Sequence, residues 1–163
     1  MSSYSLGKTE ICAWVRERFP AGSEILDVGP CDGVWRSLLR EYTMDAAEIF
    51  APNAAALTGY RHVYVTDIAD FPFEYYDLVI FGDVIEHMDV GKAQAVLEYA
   101  KKRCRDMIVA VPFLYPQGEL YGNPYEEHKQ PDLTPEIFAE RYPGFEPVIA
   151  FPNYCYYHME GRT

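Results

Sequence analysis

Two kinds of segment alternate along the first two thirds of the chain. Short runs of Val, Ile, Leu and Phe, apolar without a polar face, read as buried parallel strands at residues 24–28, 62–66, 77–81 and 107–111, with 43–49 a weaker fifth. Helical stretches lie between them. Residues 8–19 carry Ile11, Ala13, Trp14, Val15 and Phe19, and residues 34–42 carry Val34, Trp35, Leu38 and Leu39. The longest, 90–104, places Ala93, Val96, Leu97 and Ala100 on one face. Strand–helix alternation at this spacing predicts βαβ crossovers. The expected class is α/β, a doubly wound Rossmann-like, mostly parallel sheet with helices on both faces.

The pattern changes at Pro112. Eight of the 12 prolines and half of the 14 tyrosines lie from there on. Residues 113–133 show no period, and their aromatic content argues for a packed lid rather than a disordered linker. Thr134, followed by Pro135 and Glu136, is a helix N-cap, with the helix running through Tyr142. Residues 146–158 read as two antiparallel edge strands turning near Pro152 and Asn153, which brings the sheet to seven strands. One domain is expected over 1–163: a cofactor-binding sheet with its helices (1–112), the aromatic lid (113–133), then a terminal helix and edge strands (134–163).

Composition narrows the partners. Hydrophobic residues make up 49% and charged residues 24%, the balance of a globular protein. The net charge is −11, and the one basic run, Lys101-Lys102-Arg103 with Arg105 nearby, sits at an expected helix end where cations suit the dipole. Nucleic acid and anionic membranes are disfavoured. Cys12, Cys31, Cys104 and Cys155 have no metal-knuckle or redox-pair spacing. The N-terminus lacks an apolar leader and no apolar run is long enough to span a membrane. A cytoplasmic protein with free thiols is expected, as monomer or as homodimer through an exposed strand.

The most informative stretch is Ile25-Leu26-Asp27-Val28-Gly29-Pro30-Cys31-Asp32-Gly33. A buried strand runs into a glycine turn and then a helix, and in such sheets ligands bind at the carboxyl ends of the strands. The dinucleotide fingerprint fails, because Cys31 stands where its second glycine belongs and Asp32 brings negative charge to the phosphate position. A nucleoside without phosphates fits better, and a nicotinamide oxidoreductase is disfavoured. Glu48 ends the second strand roughly 20 residues past Gly29, where a carboxylate takes both ribose hydroxyls. Asp67 ends the third strand beside Ile68, and the fourth ends Phe81-Gly82-Asp83.

These pieces resemble the class I S-adenosylmethionine-dependent methyltransferases. The resemblance covers residues 25–112 in register. It rests on Asp27-Val28-Gly29-x-x-x-Gly33, Glu48, Asp67-x-x-x-Phe71-Pro72-Phe73, Tyr76-Asp77-Leu78-Val79-Ile80 leading into Asp83-Val84-Ile85-Glu86-His87-Met88, and Val109-Ala110-Val111-Pro112. It implies S-adenosylmethionine as cofactor, held by Asp27, Gly29, Cys31, Gly33, Glu48, Asp67, Ile68, Gly82 and Asp83. Asp27 and Gly29 would meet the methionine moiety, Glu48 the ribose, and Asp67 with Ile68 the adenine.

Asp83, Glu86, His87 and the more distant His128 have the residue types of a divalent-ion site. The same spacing occurs in family members that bind no metal and in metal-assisted O-methyltransferases. The metal-free reading is preferred here, with His87 as general base and His128 in reserve. Tyrosines of the lid suit an aromatic or sugar acceptor, and Gly118 and Gly122 are candidate hinges. The expected activity is methyl transfer to a hydroxyl of a small molecule or glycan. A non-catalytic cofactor-binding module on the same fold is the alternative. His62 and His158 read as structural.

Overall fold

In the computed structural model, which describes residues 5–162, seven strands form one sheet. They are β1 (Glu24–Val28), β2 (Thr43–Glu48), β3 (Val63–Val65), β4 (Tyr76–Gly82), β5 (Cys104–Pro112), β6 (Glu146–Phe151) and β7 (Tyr154–Glu160). Their order is β3-β2-β1-β4-β5-β7-β6. The first five are parallel, while β7 runs antiparallel between β5 and β6. Chain order reverses between β1 and β4, the position where doubly wound sheets open a crevice for ligands. Only β6 of the terminal pair lies at the edge. β7 is interior, zipped to β5 from Asp106–Glu160 to Pro112–Tyr154.

The helices are α1 (Lys8–Arg18), α2 (Val34–Leu38), α3 (Ala51–Ala56), α4 (Val90–Lys101) and α5 (Pro135–Arg141). They leave the sheet with an apolar layer on each face. One layer joins Trp35, Met44, Ile80 and Tyr156 beneath α1 and α2. The other joins Phe73, Val79, Leu97 and Phe138 beneath α4 and α5, where Phe138 stacks on Tyr157 at 3.8 Å between ring centroids. Strands β1, β4 and β5 are buried on both faces, which is why their sequences show no polar alternation.

Boundaries differ from expectation for local reasons. Helix α2 stops at Leu38, not Tyr42, because the Arg36 guanidinium donates to the Arg40 and Tyr42 carbonyls at 2.6 and 2.7 Å and holds the chain out of the helix. Helix α4 ends at Lys101 because the Arg103 carbonyl already accepts from Tyr76 N–H, drawing Cys104 into β5. Helix α3 has no counterpart in the hydrophobic pattern: Ala51-Pro52-Asn53-Ala54-Ala55-Ala56 is short and has little contrast between faces. Thr134 caps α5 as expected, its hydroxyl accepting from Ile137 N–H at 3.2 Å.

The 113–133 connection is tied down at both ends. Phe113 and Leu114 N–H donate to the Asn153 and Leu133 carbonyls, and Lys129 and Gln130 N–H both donate to Glu86 O. Buried Gln130 also donates to Ile85 O and Met88 O while accepting from Tyr142 Oη. Between these anchors Leu114, Tyr115, Tyr121 and Tyr125 are exposed. His62 and His158 pair with buried Asp45 and Asp106 near the amino ends of β2 and β5, opposite the ligand end of the sheet. Among the described residues no helix is long and apolar enough to cross a membrane.

Candidate active site

The carboxyl ends of β1, β2, β4 and β5 open into a cleft of about 200 Å³. Its floor is the turn after β1. Gly29, Cys31 and Gly33 all take left-handed backbone angles, with φ of 60°, 53° and 76°. At Cys31 this conformation costs a side-chain-bearing residue about 1–2 kcal/mol. A Cβ on Gly29 would stand 2.9 Å from Val84 Cγ2, so bare backbone is required there.

Glu48 closes the next strand end. It is 4% exposed and accepts from Cys31 N–H at 3.2 Å and Phe50 N–H at 2.9 Å, joining the first turn to the second. Burial raises its pKa against those bonds. Asp67 follows, capping the short helix Ile68–Asp70 through Ala69 N–H and pairing with Lys92 Nζ at 2.6 Å. Burial opposes ionisation of Asp67, but Lys92 and the amide outweigh it and hold the pKa low.

Residues 83–88 cross the end of β4. Asp83 has φ 57°, and its Oδ1 accepts from Tyr154 Oη at 2.8 Å. The next turn, Ile85–His87, buries Glu86 to 1% exposure, and neither carboxylate oxygen has a hydrogen-bond partner. Burial drives its pKa well above the usual carboxylate range, and Asp83 adds to the rise. The His87 and His128 rings meet edge to face, 4.7 Å between centroids. His87 Nδ1 lies 3.2 Å from Glu127 O and His128 Nδ1 lies 2.6 Å from Tyr115 O. A carbonyl only accepts, so each Nδ1 carries the proton and each Nε2 keeps its lone pair. Burial lowers both imidazole pKa values. One ligand atom from each of Glu86, His87 and His128 lies within 4.8 Å of the others.

No family model matches the sequence, and the search of curated proteins finds no match. Solved structures do match. A 1,6-didemethyltoxoflavin-N1-methyltransferase from Burkholderia thailandensis, with bound S-adenosylhomocysteine, superposes with a TM-score of 0.68 over 94% of this chain and 77% of that one at 15% identity. The magnesium protoporphyrin IX methyltransferase of Synechocystis, with S-adenosylmethionine bound, gives 0.63 over 94% and 77% at 17% identity. The N-methyltransferase NodS of Bradyrhizobium japonicum gives 0.65 over 98% of both chains at 11% identity. The chain has the class I S-adenosylmethionine-dependent methyltransferase fold.

On this methyltransferase fold, Gly29, Cys31, Glu48, Asp67, Ile68, Gly82 and Asp83 line the cleft, as do Glu86, His87 and His128. Asp27 and Gly33 do not. Successive strand side chains point to opposite faces, and next to cleft-lining Val28, Asp27 is 1% exposed and accepts from Tyr60 Oη at 2.7 Å. Gly33 caps α2 and faces Leu57 and Tyr60. Of the four candidate ion ligands three converge, while Asp83 is held toward Tyr154.

Several cleft residues escaped the sequence reading. Lys92 near the start of α4, Asn53 on α3 and Glu126 in the 113–133 connection line the cleft without a local motif to mark them. Tyr60 and Tyr154 act behind the cleft. Their carboxylate partners lie 33 and 71 residues away, too far for any local pattern to pair them.

Two predictions arise from residues at and behind the strand ends. A Cβ on Gly82 would stand 2.7 Å from Trp35 Nε1, and buried Trp35 has little room to yield. Gly82→Ala therefore loses about 1–3 kcal/mol in denaturant unfolding, as overpacked cores do. Unchanged stability would contradict that packing. Asp27 is the second case. Burial pushes its carboxyl up to about 7 against the opposing Tyr60 bond. Between about pH 4 and 7 the folded chain keeps a proton that the unfolded chain has released, so this contribution is present at low pH and is lost as pH rises. Asp27→Asn removes the effect. Relative to the variant, the parent loses on the order of 4 kcal/mol across that window. Parallel stability–pH curves would refute the assignment.

Proposed function

We propose that this chain is an S-adenosylmethionine-dependent methyltransferase whose acceptor is a hydroxyl of a small molecule or glycan. The observation carrying the reading is convergence: a glycine or carboxylate from each of four successive strand ends meets in one cleft of a methyltransferase fold. The donor set suits this cofactor. Gly29 offers bare backbone for the methionine moiety, Glu48 a fixed carboxylate for both ribose hydroxyls, and Asp67 with Ile68 an edge and an apolar face for adenine. When bound, the cofactor supplies a methyl group already activated by sulfonium.

The chain's own task is to align an acceptor and remove water, the source of much of the rate in a displacement of this kind. A hydroxyl must also lose its proton, whereas an amine need only arrive neutral. Two imidazoles, each with an Nε2 lone pair, beside the end of β4 favour the hydroxyl, with His87 the base and His128 in reserve. The tyrosine-bearing 113–133 segment then selects the acceptor, presenting flat apolar rings with polar tips.

The test is transfer of a labelled methyl group to matched panels of hydroxyl and amine acceptors. Label in hydroxyl acceptors is expected. Label only in amines overturns the acceptor class, and cofactor binding without transfer to any acceptor supports a non-catalytic module.

A further inference from the structure

We propose that Glu86 and His128 bind a protonated primary amine of the acceptor beside the hydroxyl that His87 receives, which makes the acceptor a vicinal amino alcohol. The proposal rests on the methyltransferase reading for calling that ligand an acceptor, but not for its geometry. Glu86 is the decisive residue. It is 1% exposed, lines the cleft and has no hydrogen-bond partner on either carboxylate oxygen. A carboxyl group without a partner is expensive to bury, and a cation that donates to it offsets that cost.

The surroundings call for hydrogen-bond donors and for positive charge. Both imidazoles commit Nδ1–H to main-chain carbonyls, of Glu127 and of Tyr115, so each keeps an accepting Nε2. Among the described residues lining the cleft, Lys92 is the one lysine or arginine, and Asp67 pairs with it at 2.6 Å. Glu126 also lines the cleft, and with Asp83 it adds negative charge around Glu86. Tyr115 and Tyr125 line the cleft half-exposed, with ring faces that suit a carbon frame or a cation.

Spacing selects the amine. An ammonium nitrogen that holds two acceptors at about 2.8 Å in tetrahedral directions sets them roughly 4.6 Å apart. One nitrogen of each imidazole and one oxygen of Glu86 fall within 4.8 Å of one another, so an ammonium between Glu86 and His128 fits without rearrangement. His87 Nε2 stands 3.9 Å from Glu86 Oε1. Staggered substituents on adjacent carbons place nitrogen and oxygen about 3–4 Å apart, which matches that gap. The arrangement also chooses the atom that reacts. An ammonium nitrogen has no lone pair, so the amine held by Glu86 is protected. The hydroxyl oxygen forms the new bond to the methyl carbon as the methyl–sulfur bond breaks, and its proton passes to His87 Nε2.

The experiment is calorimetric titration of the full-length chain, with chelator throughout and with or without S-adenosylhomocysteine. It compares trans-2-aminocyclohexanol with cyclohexanol and with trans-4-aminocyclohexanol, whose amine and hydroxyl lie too far apart to span the gap. One trans-2-aminocyclohexanol per chain is expected, bound at least tenfold tighter than either control. Glu86→Gln keeps the side-chain shape without the charge and should bring that affinity within twofold of cyclohexanol. Its affinity for S-adenosylhomocysteine should stay within twofold of the parent, which shows that the variant is folded. His128→Ala should weaken amino alcohol binding about tenfold. Equal affinity for the three compounds, a preference that survives Glu86→Gln, or binding that appears only when the chelator is replaced by a divalent metal overturns the proposal. S-adenosylhomocysteine binding without amino alcohol binding defeats the amine site alone, and amino alcohol binding without S-adenosylhomocysteine binding defeats the methyltransferase reading alone.

Discussion

In His87→Ala, turnover is expected to fall by about 10²–10⁴-fold, the usual loss when a positioned proton acceptor is removed. Affinity for S-adenosylhomocysteine should stay within about twofold. The separation follows from placement. His87 follows the end of β4 and faces His128 and Glu86, whereas the candidate ribose and adenine carboxylates, Glu48 and Asp67, end β2 and follow β3. His87 has this effect as the group proposed to take the acceptor's proton. His87 also donates to Glu127 O, so a stability loss of about 1 kcal/mol accompanies the substitution. Steady-state kinetics with paired calorimetry provide the check. Unchanged turnover would remove His87 from the chemistry, and a parallel loss of cofactor affinity would place it in the wrong subsite.

Glu48→Ala should have the other large effect, on binding. The carboxylate now accepts from the amides of Cys31 and Phe50, and the proposed ribose contact uses the same oxygens. Its removal strands two amides, at about 1–3 kcal/mol each where water cannot reach them, and deletes a charge-assisted pair of ribose bonds. Affinity for S-adenosylhomocysteine is expected to drop at least 100-fold, with stability lower by about 2 kcal/mol. Glu48→Gln keeps one acceptor oxygen and should fall between, near tenfold. A Glu48→Ala protein that binds as tightly as the parent would show that the ribose is held elsewhere.

The sequence is most readable where one residue's neighbours in the chain decide its structure. β1, β4 and β5 announce themselves because strands buried on both faces must be apolar throughout, and Thr134 announces α5 because a cap is a local hydrogen bond. Strand-end chemistry is legible for the same reason: topology delivers the carboxyl ends of parallel strands to one crevice, so Gly29, Glu48, Asp67 and Asp83 are found by counting. What is not local is not legible. The insertion of β7 between β5 and β6 depends on pairing across the whole sheet, and a strand pattern does not say which edge it joins. The hydrogen bonds that Tyr60 gives Asp27 and Tyr154 gives Asp83 join partners visible only in three dimensions. Glu86, His87 and His128 are all nameable from the sequence as types. That Glu86 lies stripped of hydrogen-bond partners is a fact of the turn at Ile85–His87 packed under Lys129 and Gln130.

Calorimetric titration of the purified chain with S-adenosylhomocysteine, alongside NAD as a phosphate-bearing control, tests the central claim most directly. One S-adenosylhomocysteine per chain, weakened in Glu48→Ala, with no heat from NAD, is the expected result. Folded protein that gives no heat with S-adenosylhomocysteine, or that binds NAD instead, would contradict it.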